Sequence, residues 1–216
     1  MQLPGIMTRN LLIVMAAALS MISCNNEIFT PSVGVGYLAV ELSAETTDGT
    51  KAEDVDLADF DIVITGPSEL SCKCSELPEI VALEPGYYTI SVASPFSEPA
   101  AFEQPIFGAE SGFEIQDGAT SSVKLICTMQ NMKVTIRPSD AFRSQMKSYT
   151  VTVDNSYGEL TWTQSEIDAG VAGYFTVAPL AISLTGISLG DAELSYDGLI
   201  TDVEASDHHV ITFDSL

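Results

Sequence analysis

The stretch Leu83–Val92 constrains the fold more than any other part of the sequence. Pro85 suits the second position of a turn, and Gly86 tolerates the positive φ that the third position of a type II turn requires. Every second residue of Tyr88–Val92 is apolar, a period that is typical of a strand with one buried face. With Glu79–Leu83 as the partner strand, the stretch predicts a β-hairpin in a β-sandwich.

The same alternation recurs along the chain between turn signals, without a βαβ rhythm or a long amphipathic helix. The segments predicted as strands are Tyr37–Leu42, Phe60–Ile64, Phe113–Ile115, Val123–Met129, Tyr149–Val153 and Asp207–Phe213. Gly173–Leu184 is predicted to form two strands with a bend at Pro179. Short strands at this spacing predict an all-β protein. We expect two tandem β-sandwich domains, at residues 36–130 and 131–216.

Acidic residues outnumber basic ones 30 to 8, which gives a formal net charge of −22. This charge repels nucleic acid and anionic membrane surfaces, so neither is expected as a partner. Hydrophobic residues form 46% of the chain, which is enough for a buried core. The acidic residues between Asp191 and Glu204 match no recognised calcium loop, so they predict a solubilising surface and leave calcium binding open.

Residues 1–23 have the organisation of a signal peptide. Arg9 is the only charge before an apolar core at Leu11–Leu19, which is too short to span a bilayer. The segment ends in Met21-Ile22-Ser23-Cys24, which resembles a bacterial lipobox. We therefore predict cleavage before Cys24, lipidation of that cysteine and a tether at residues 24–35. The alternative is an ordinary secretory signal with a chance cysteine.

The segment Ala93–Ala109 combines three prolines with Phe96, Phe102 and Phe107. The prolines exclude a central strand. Together with Trp162, the phenylalanines form a candidate ligand-binding loop for a sugar or a peptide. The competing interpretation is a long crossover whose phenylalanines fill the edge of the sandwich.

Three cysteines remain once Cys24 is assigned to the lipid: Cys72, Cys74 and Cys127. A single residue separates Cys72 from Cys74, which is unfavourable for a disulfide between them and for a zinc knuckle. Cys127 lies on an apolar strand face and is expected in the core. A bridge from Cys72 or Cys74 to Cys127 is left open, and no metal or cofactor is predicted.

His208 and His209 are the only histidines. Neighbours on a strand point to opposite faces, so the two rings cannot ligate one metal from one face. No Gly-x-Ser-x-Gly motif and no phosphate-binding glycine loop accompanies them. The sequence therefore predicts no catalytic residues and no enzymatic activity.

Several short motifs carry a resemblance to known families. They are the lipobox at Cys24, Gly36-Tyr37-Leu38, Phe60-x-Ile62-x-Ile64-x-Gly66, Leu83-x-Pro85-Gly86-x-Tyr88, Phe113-x-Ile115, Cys127 with Asn131, and Gly173-Tyr174-Phe175 with Pro179-Leu180. On these motifs the chain resembles a Bacteroidales family of surface lipoproteins of unknown function. Its layout is similar to that of fimbrillin-type pilus proteins. The resemblance implies Greek-key or transthyretin-like sandwiches on an outer-membrane, lipid-anchored and surface-exposed protein.

One departure from the fimbrillin pattern concerns processing. In fimbrillin shaft subunits an arginine-directed protease releases an N-terminal strand, and the exposed groove accepts a partner's strand. No Arg or Lys lies between Cys24 and Lys51. An anchored subunit or a stand-alone surface protein therefore fits better than a polymerising subunit.

The leading hypothesis is a non-enzymatic, lipid-anchored surface protein for adhesion or for a fimbria-like assembly with protein partners. Recognition would combine edge-strand pairing with loop contacts. The alternative is a surface module that binds glycans or peptides at Phe96, Phe102, Phe107 and Trp162. An enzyme is a more distant alternative, which would require a pocket that gathers Asp207, His208 and a serine.

Overall fold

The computed structural model describes residues 34–45 and 55–214. The predicted signal peptide, Cys24 and most of the predicted tether lie outside the described residues. Among the residues just given, no helix combines the length and the apolar character that a membrane crossing needs. The predicted all-β class is confirmed, because strands form most of the regular structure. The strands before residue 130 are β1 Gly36–Ala44, β2 Asp61–Thr65, β3 Leu70–Lys73, β4 Val81–Leu83, β5 Gly86–Ala93, β6 Ala100–Phe102, β7 Phe107–Ile115 and β8 Thr120–Met129.

Two short helices interrupt the strands after residue 130. The elements there are β9 Met132–Ile136, α1 Asp140–Arg143, β10 Met146–Asp154, β11 Glu159–Thr163, α2 Gln164–Ala169, β12 Gly173–Phe175, β13 Leu180–Ser188, β14 Glu193–Ile200 and β15 His208–Ile211. The sequence patterns predict most of these strands, but β14 and α2 are absent from the prediction.

The N-terminal strands form one continuous sheet in the order β3-β2-β5-β7-β8-β1-β4. β7 and β8 pair only where Phe107 meets Met129 and Gly108 meets Thr128, while the rest of β7 pairs with β5. The sheet therefore turns a corner at this junction, and its two parts face each other across one core. We call this core the first cluster; its most deeply buried members are Leu38, Ile62, Ile64, Ile90, Val92, Ile115 and Cys127.

The predicted hairpin between Glu79–Leu83 and Tyr88–Val92 is wrong. β4 pairs with β1, whereas β5 pairs with β2 and β7, so the two strands lie in opposite parts of the sheet. Gly86 does have positive φ, at 149°, and a Cβ there would lie 2.6 Å from Pro67. The chain bends at Pro85-Gly86, but the bend leads it across the core instead of back along the same surface.

The C-terminal strands form two four-stranded sheets, in the orders β11-β10-β13-β14 and β15-β9-β12-β6. Alternate residues of both sheets point into a second core, which we call the second cluster. Its fully buried members are Met132, Val134, Val151, Val153, Trp162, Phe175 and Leu180. The predicted bend at Pro179 is the point where the chain passes from β12 in one sheet to β13 in the other.

The two clusters exchange residues across the predicted domain boundary at 130. β6 comes from the N-terminal part of the chain, yet it pairs with β12 and packs Phe102 against the second cluster. In return, Ala172 and Tyr174 belong to the first cluster. The division into domains at 36–130 and 131–216 therefore stays a prediction.

Candidate functional site

The loop between β5 and β7 is held at its base by Ser94 and Phe107. The Ser94 N–H donates to the Phe107 carbonyl at 2.9 Å, and the Phe107 N–H donates to the Ser94 Oγ at 3.0 Å. Buried Asn131 supports the loop from below. Its Oδ1 accepts from the Ile106 N–H at 3.0 Å, and its Nδ2 donates to the Gln104 carbonyl at 3.2 Å. These contacts hold the loop in place and give hydrogen-bond partners to backbone groups that would otherwise have to bond to water.

Two of the four residues predicted for ligand binding contact each other inside the second cluster. Phe102 meets Trp162 edge to face, with ring centroids 5.1 Å apart. Trp162 is fully buried, and its indole N–H donates to the Val171 carbonyl at 2.9 Å. Buried tryptophans usually find such a partner for the N–H group. In this conformation the Trp162 ring contacts protein on all sides.

The other two predicted residues, Phe96 and Phe107, line a cavity of about 280 Å³ at the end of the first cluster. Phe107 is 6% exposed and forms part of the floor, while Phe96 is 42% exposed. The remaining lining residues are Val55, Asp56, Asp59, Phe60, Ser94, Pro95 and Pro105. Of the four predicted residues, Phe102 and Trp162 therefore lie in the second cluster, and Phe96 and Phe107 line the cavity. We call this space the loop cavity.

A second recess lies between the two sheets of the second cluster, at the edge formed by β14 and β15. It has a volume of about 370 Å³, and its walls are Phe142, Leu184, Leu194, Ser195, Tyr196, Thr212, Phe213 and Asp214. Tyr196 of β14 and Phe213, which follows β15, meet edge to face with ring centroids 6.0 Å apart. We call this recess the edge groove.

The edge groove is open to solvent along β14. Tyr196 is paired with buried Leu184 and so points inward, yet it remains 55% exposed. On the opposite face of β14, Leu199 is 66% exposed. β14 is the last strand of its sheet, so one of its two sides presents unpaired backbone N–H and C=O groups. Such an edge combines unused hydrogen-bonding capacity with exposed apolar surface.

The histidines lie on opposite faces of β15, as predicted. His208 points outward and its Nε2 lies 3.0 Å from the Thr135 hydroxyl oxygen. Burial, together with the nearby charges of Lys133 and Arg137, lowers the pKa of His208. His209 is paired with buried Val134, and its Nε2 is 3.6 Å from an Asp207 carboxylate oxygen. In residues 34–45 and 55–214, no His, Cys, Asp and Glu side chains cluster in a way that could hold a metal.

All three described cysteines are free thiols that contact the first cluster. Cys127 is fully buried, which confirms its predicted place in the core. Burial, reinforced by repulsion from the Cys127 and Cys72 thiolates, raises the pKa of Cys74 to about 11. A bridge from Cys72 or Cys74 to Cys127 stays a prediction.

Solved structures with a similar fold include three surface-associated proteins. A fimbrial assembly protein from Parabacteroides distasonis is 9% identical, with a TM-score of 0.49 over 82% of this chain and 90% of the other. A fimbrial anchor protein from Porphyromonas gingivalis is 10% identical, with a TM-score of 0.47 over the same shares. A candidate cell adhesion protein from Bacteroides eggerthii is 8% identical, with a TM-score of 0.49 over 84% and 86%. Likeness at this level carries no conclusion about binding.

No curated protein matches the sequence. A family model described as a domain of unknown function, DUF4493, matches residues 34–216. This match spans β1 through β15 and both clusters, and it confirms the resemblance to a family of unknown function. The chain therefore belongs to the DUF4493 family.

Proposed function

We propose that this protein is a non-enzymatic component of the cell surface that binds a partner protein by accepting one of its β-strands at the edge groove. The observation that carries the proposal is the eight-residue edge strand β14, whose inner face exposes Tyr196 over a largely apolar recess and whose outer face exposes Leu199. Adhesion and a fimbria-like assembly are the two settings in which such a contact would operate.

A strand that pairs with β14 would gain two kinds of contact. Its backbone would use the free N–H and C=O groups of β14, which supplies affinity without regard to sequence. Every second side chain would point into the recess between Tyr196 and Phe213. Each apolar side chain that is fully buried there would contribute about 1.5–3 kcal/mol.

Charge adds a preference to this recognition. Asp214 lines the groove, and Glu193 and Asp197 lie on the exposed face of β14. The whole chain carries a net charge of −22. A partner strand with alternating apolar residues and flanking Lys or Arg would therefore associate faster than an acidic one, especially at low salt.

The proposed location at the outer membrane rests on the sequence outside the described residues. Cleavage before Cys24 and lipidation of its sulfur would hold the protein at the outer membrane, and a short tether would connect the lipid to β1. In this arrangement residues 36–130 and 131–216 act as two sandwich domains, and the lipid-bearing end lies apart from β14 in the sequence.

The test is the native mass of the full protein, extracted with mild detergent and measured by size-exclusion chromatography with light scattering. We expect a mass above that of the monomer, and a return to monomer in Leu199→Lys, which places a charge on the docking edge. Val63→Lys is the matched control, because Val63 is 39% exposed on β2, which is paired on both sides. A monomeric wild type, or a complex that survives Leu199→Lys but not Val63→Lys, would overturn the proposal.

A further inference from the structure

The loop cavity combines an apolar interior with an acidic rim. Its floor consists of Phe60 and Phe107, which are 4% and 6% exposed. Phe96 stands at the side with 42% of its surface exposed. Asp56 and Asp59, both exposed, complete the lining. A ligand that enters this cavity therefore meets carboxylates at the mouth and aromatic surface inside.

Among the residues that the structure describes, no cation pairs with either rim carboxylate. Lys73 approaches them, but its Nζ pairs with the Asp61 carboxylate at 2.6 Å and donates to the Asp59 backbone carbonyl at 3.0 Å. One oxygen of Asp56 accepts the Ala58 N–H at 2.9 Å, which leaves the other oxygen available. Within the described ranges, neither Asp56 nor Asp59 takes part in an ion pair.

We propose that the loop cavity binds an arginine side chain presented by a peptide or a protein. The guanidinium can lie against the exposed ring of Phe96, since cations are attracted to aromatic faces. Its fork of N–H groups suits carboxylate oxygens at the rim, and the aliphatic part of the side chain covers the apolar floor. Lysine carries the same charge but lacks the planar group that stacks and donates in two directions.

Size and charge separate arginine from the other ligand classes. The volume of about 280 Å³ lies just below the range of roughly 300–1,000 Å³ that is common for whole small-molecule ligands, so one side chain fits better than an oligosaccharide. Anionic ligands would meet Asp56 and Asp59, and none of the described lining residues is a cation that could offset the repulsion. A neutral sugar could stack on Phe96 but would leave the charges of both carboxylates unmatched.

This inference is independent of the proposed function, because the loop cavity and the edge groove are lined by different residues. The probe is N-acetyl-arginine amide, measured by ligand-observed saturation-transfer NMR with the full protein in detergent. N-acetyl-citrulline amide is the neutral analogue of nearly the same shape. We expect saturable binding of the arginine probe and an affinity for citrulline that is at least about tenfold lower, since charge-assisted hydrogen bonds are lost.

Substitutions of the two rim carboxylates test whether they bind the arginine probe. Asp56→Asn combined with Asp59→Asn should reduce arginine affinity at least about tenfold, because both side chains lose their charge. The amide oxygen introduced by Asp56→Asn can still accept the Ala58 N–H, so the local turn is kept. Glu193→Gln combined with Asp197→Asn makes the same change of charge on β14 and should leave the affinity within about twofold. Phe96→Leu keeps apolar surface but removes the ring, and should weaken binding about threefold.

Three results would overturn the inference: equal affinities for the arginine and citrulline probes, unchanged affinity in the double variant of the rim, or tighter binding of a neutral monosaccharide at the same cavity. Leu199→Lys should keep full arginine affinity. Loss of assembly in that variant with arginine binding intact would show that the two sites act separately.

Discussion

The two clusters differ in how their sheets end. In the first cluster the edge strands β3 and β4 have only four and three residues, and the connection between them packs Cys74 and Leu77 onto the core. In the second cluster the edge strand β14 has eight residues. Proteins commonly protect sheet edges by keeping them short. This contrast supports placing the proposed strand contact at the second cluster and not at the first.

The second cluster also differs between its own two sides. On the side of β11 and β6, Phe102 packs against Trp162 at 5.1 Å, and a Cβ on Gly158 would lie 2.7 Å from the Ala100 side chain. On the side of β14 and β15, the edge groove remains. Partner binding is thus expected at one side while the other holds the sheets together.

The largest expected effect concerns the side of β11 and β6, which we call the closed side; the side of β14 and β15 is the open side. Trp162→Ala should lower the free energy of unfolding by about 3–5 kcal/mol, because it leaves a cavity beside Phe102 and Phe175 and an unpaired Val171 carbonyl. Urea unfolding is the measurement. Leu199→Ala on the open side should stay within about 0.5 kcal/mol, because that side chain is 66% exposed. Similar losses for both variants would contradict the contrast between the two sides.

Sequence patterns predict the fold class better than the connections. The apolar period of two identifies inward residues such as Ile62, Ile90 and Val151. It does not identify the partner strand, because the turn at Pro85-Gly86 is compatible with a return along one sheet and with a crossing between two. Pairing depends on which faces meet, and this is decided by residues far apart in the chain.

The candidate sites show the same limit. The prolines and aromatic residues of Ala93–Ala109 correctly indicate an unusual loop, but Phe102 joins one core and Phe107 lines another. Only tertiary packing makes that distinction. The edge groove brings β14 next to residues that follow β15, and no local motif contains both. By contrast, Thr163 followed by Glu166 is a capping-box pattern from which α2 could have been predicted.

A smaller effect concerns the crossing at Pro85-Gly86, which helps to close the first cluster. The Tyr88 hydroxyl donates to the Glu84 carbonyl at 2.9 Å and lies 2.8 Å from the Ser68 Oγ. Tyr88→Phe should therefore lower the free energy of unfolding by about 1 kcal/mol in urea titrations. The neighbouring Tyr87 is 76% exposed, so Tyr87→Phe should have almost no effect. Equal stability of both variants would mean that these hydrogen bonds do not help to hold the crossing.

Alkaline pH should also weaken the first cluster in preference to the second. Burial raises the pKa of Cys74 from 9.0 to about 11, so the folded protein keeps this proton at a pH where the unfolded chain releases it. The associated stabilisation is complete below pH 9 and disappears as the pH rises towards 11. Alkylation of Cys74 by iodoacetamide, followed by mass spectrometry, should have its midpoint near pH 11 in folded protein and lower in urea. Coincident midpoints would contradict the burial of this thiol.

The smallest effect concerns α2, which joins β11 to β12 on the closed side of the second cluster. The Glu166 carboxylate accepts both the N–H and the hydroxyl of Thr163 at 2.7 Å. These bonds lower the pKa of Glu166 below its ordinary 4.5, so they stabilise the fold above pH 4.5, and this contribution is lost as the pH falls through the lowered value. Glu166→Gln should therefore flatten the loss of stability in acid, measured by urea midpoints at a series of pH values. Thr163→Val removes the hydroxyl contacts to the Glu166 carboxylate and to the Ser165 Oγ but keeps the backbone N–H contact, and should give an intermediate slope. If stability falls with pH in Glu166→Gln as it does in the wild type, the loss of stability in acid must originate in other carboxylates. The capping box would then make no measurable contribution to stability.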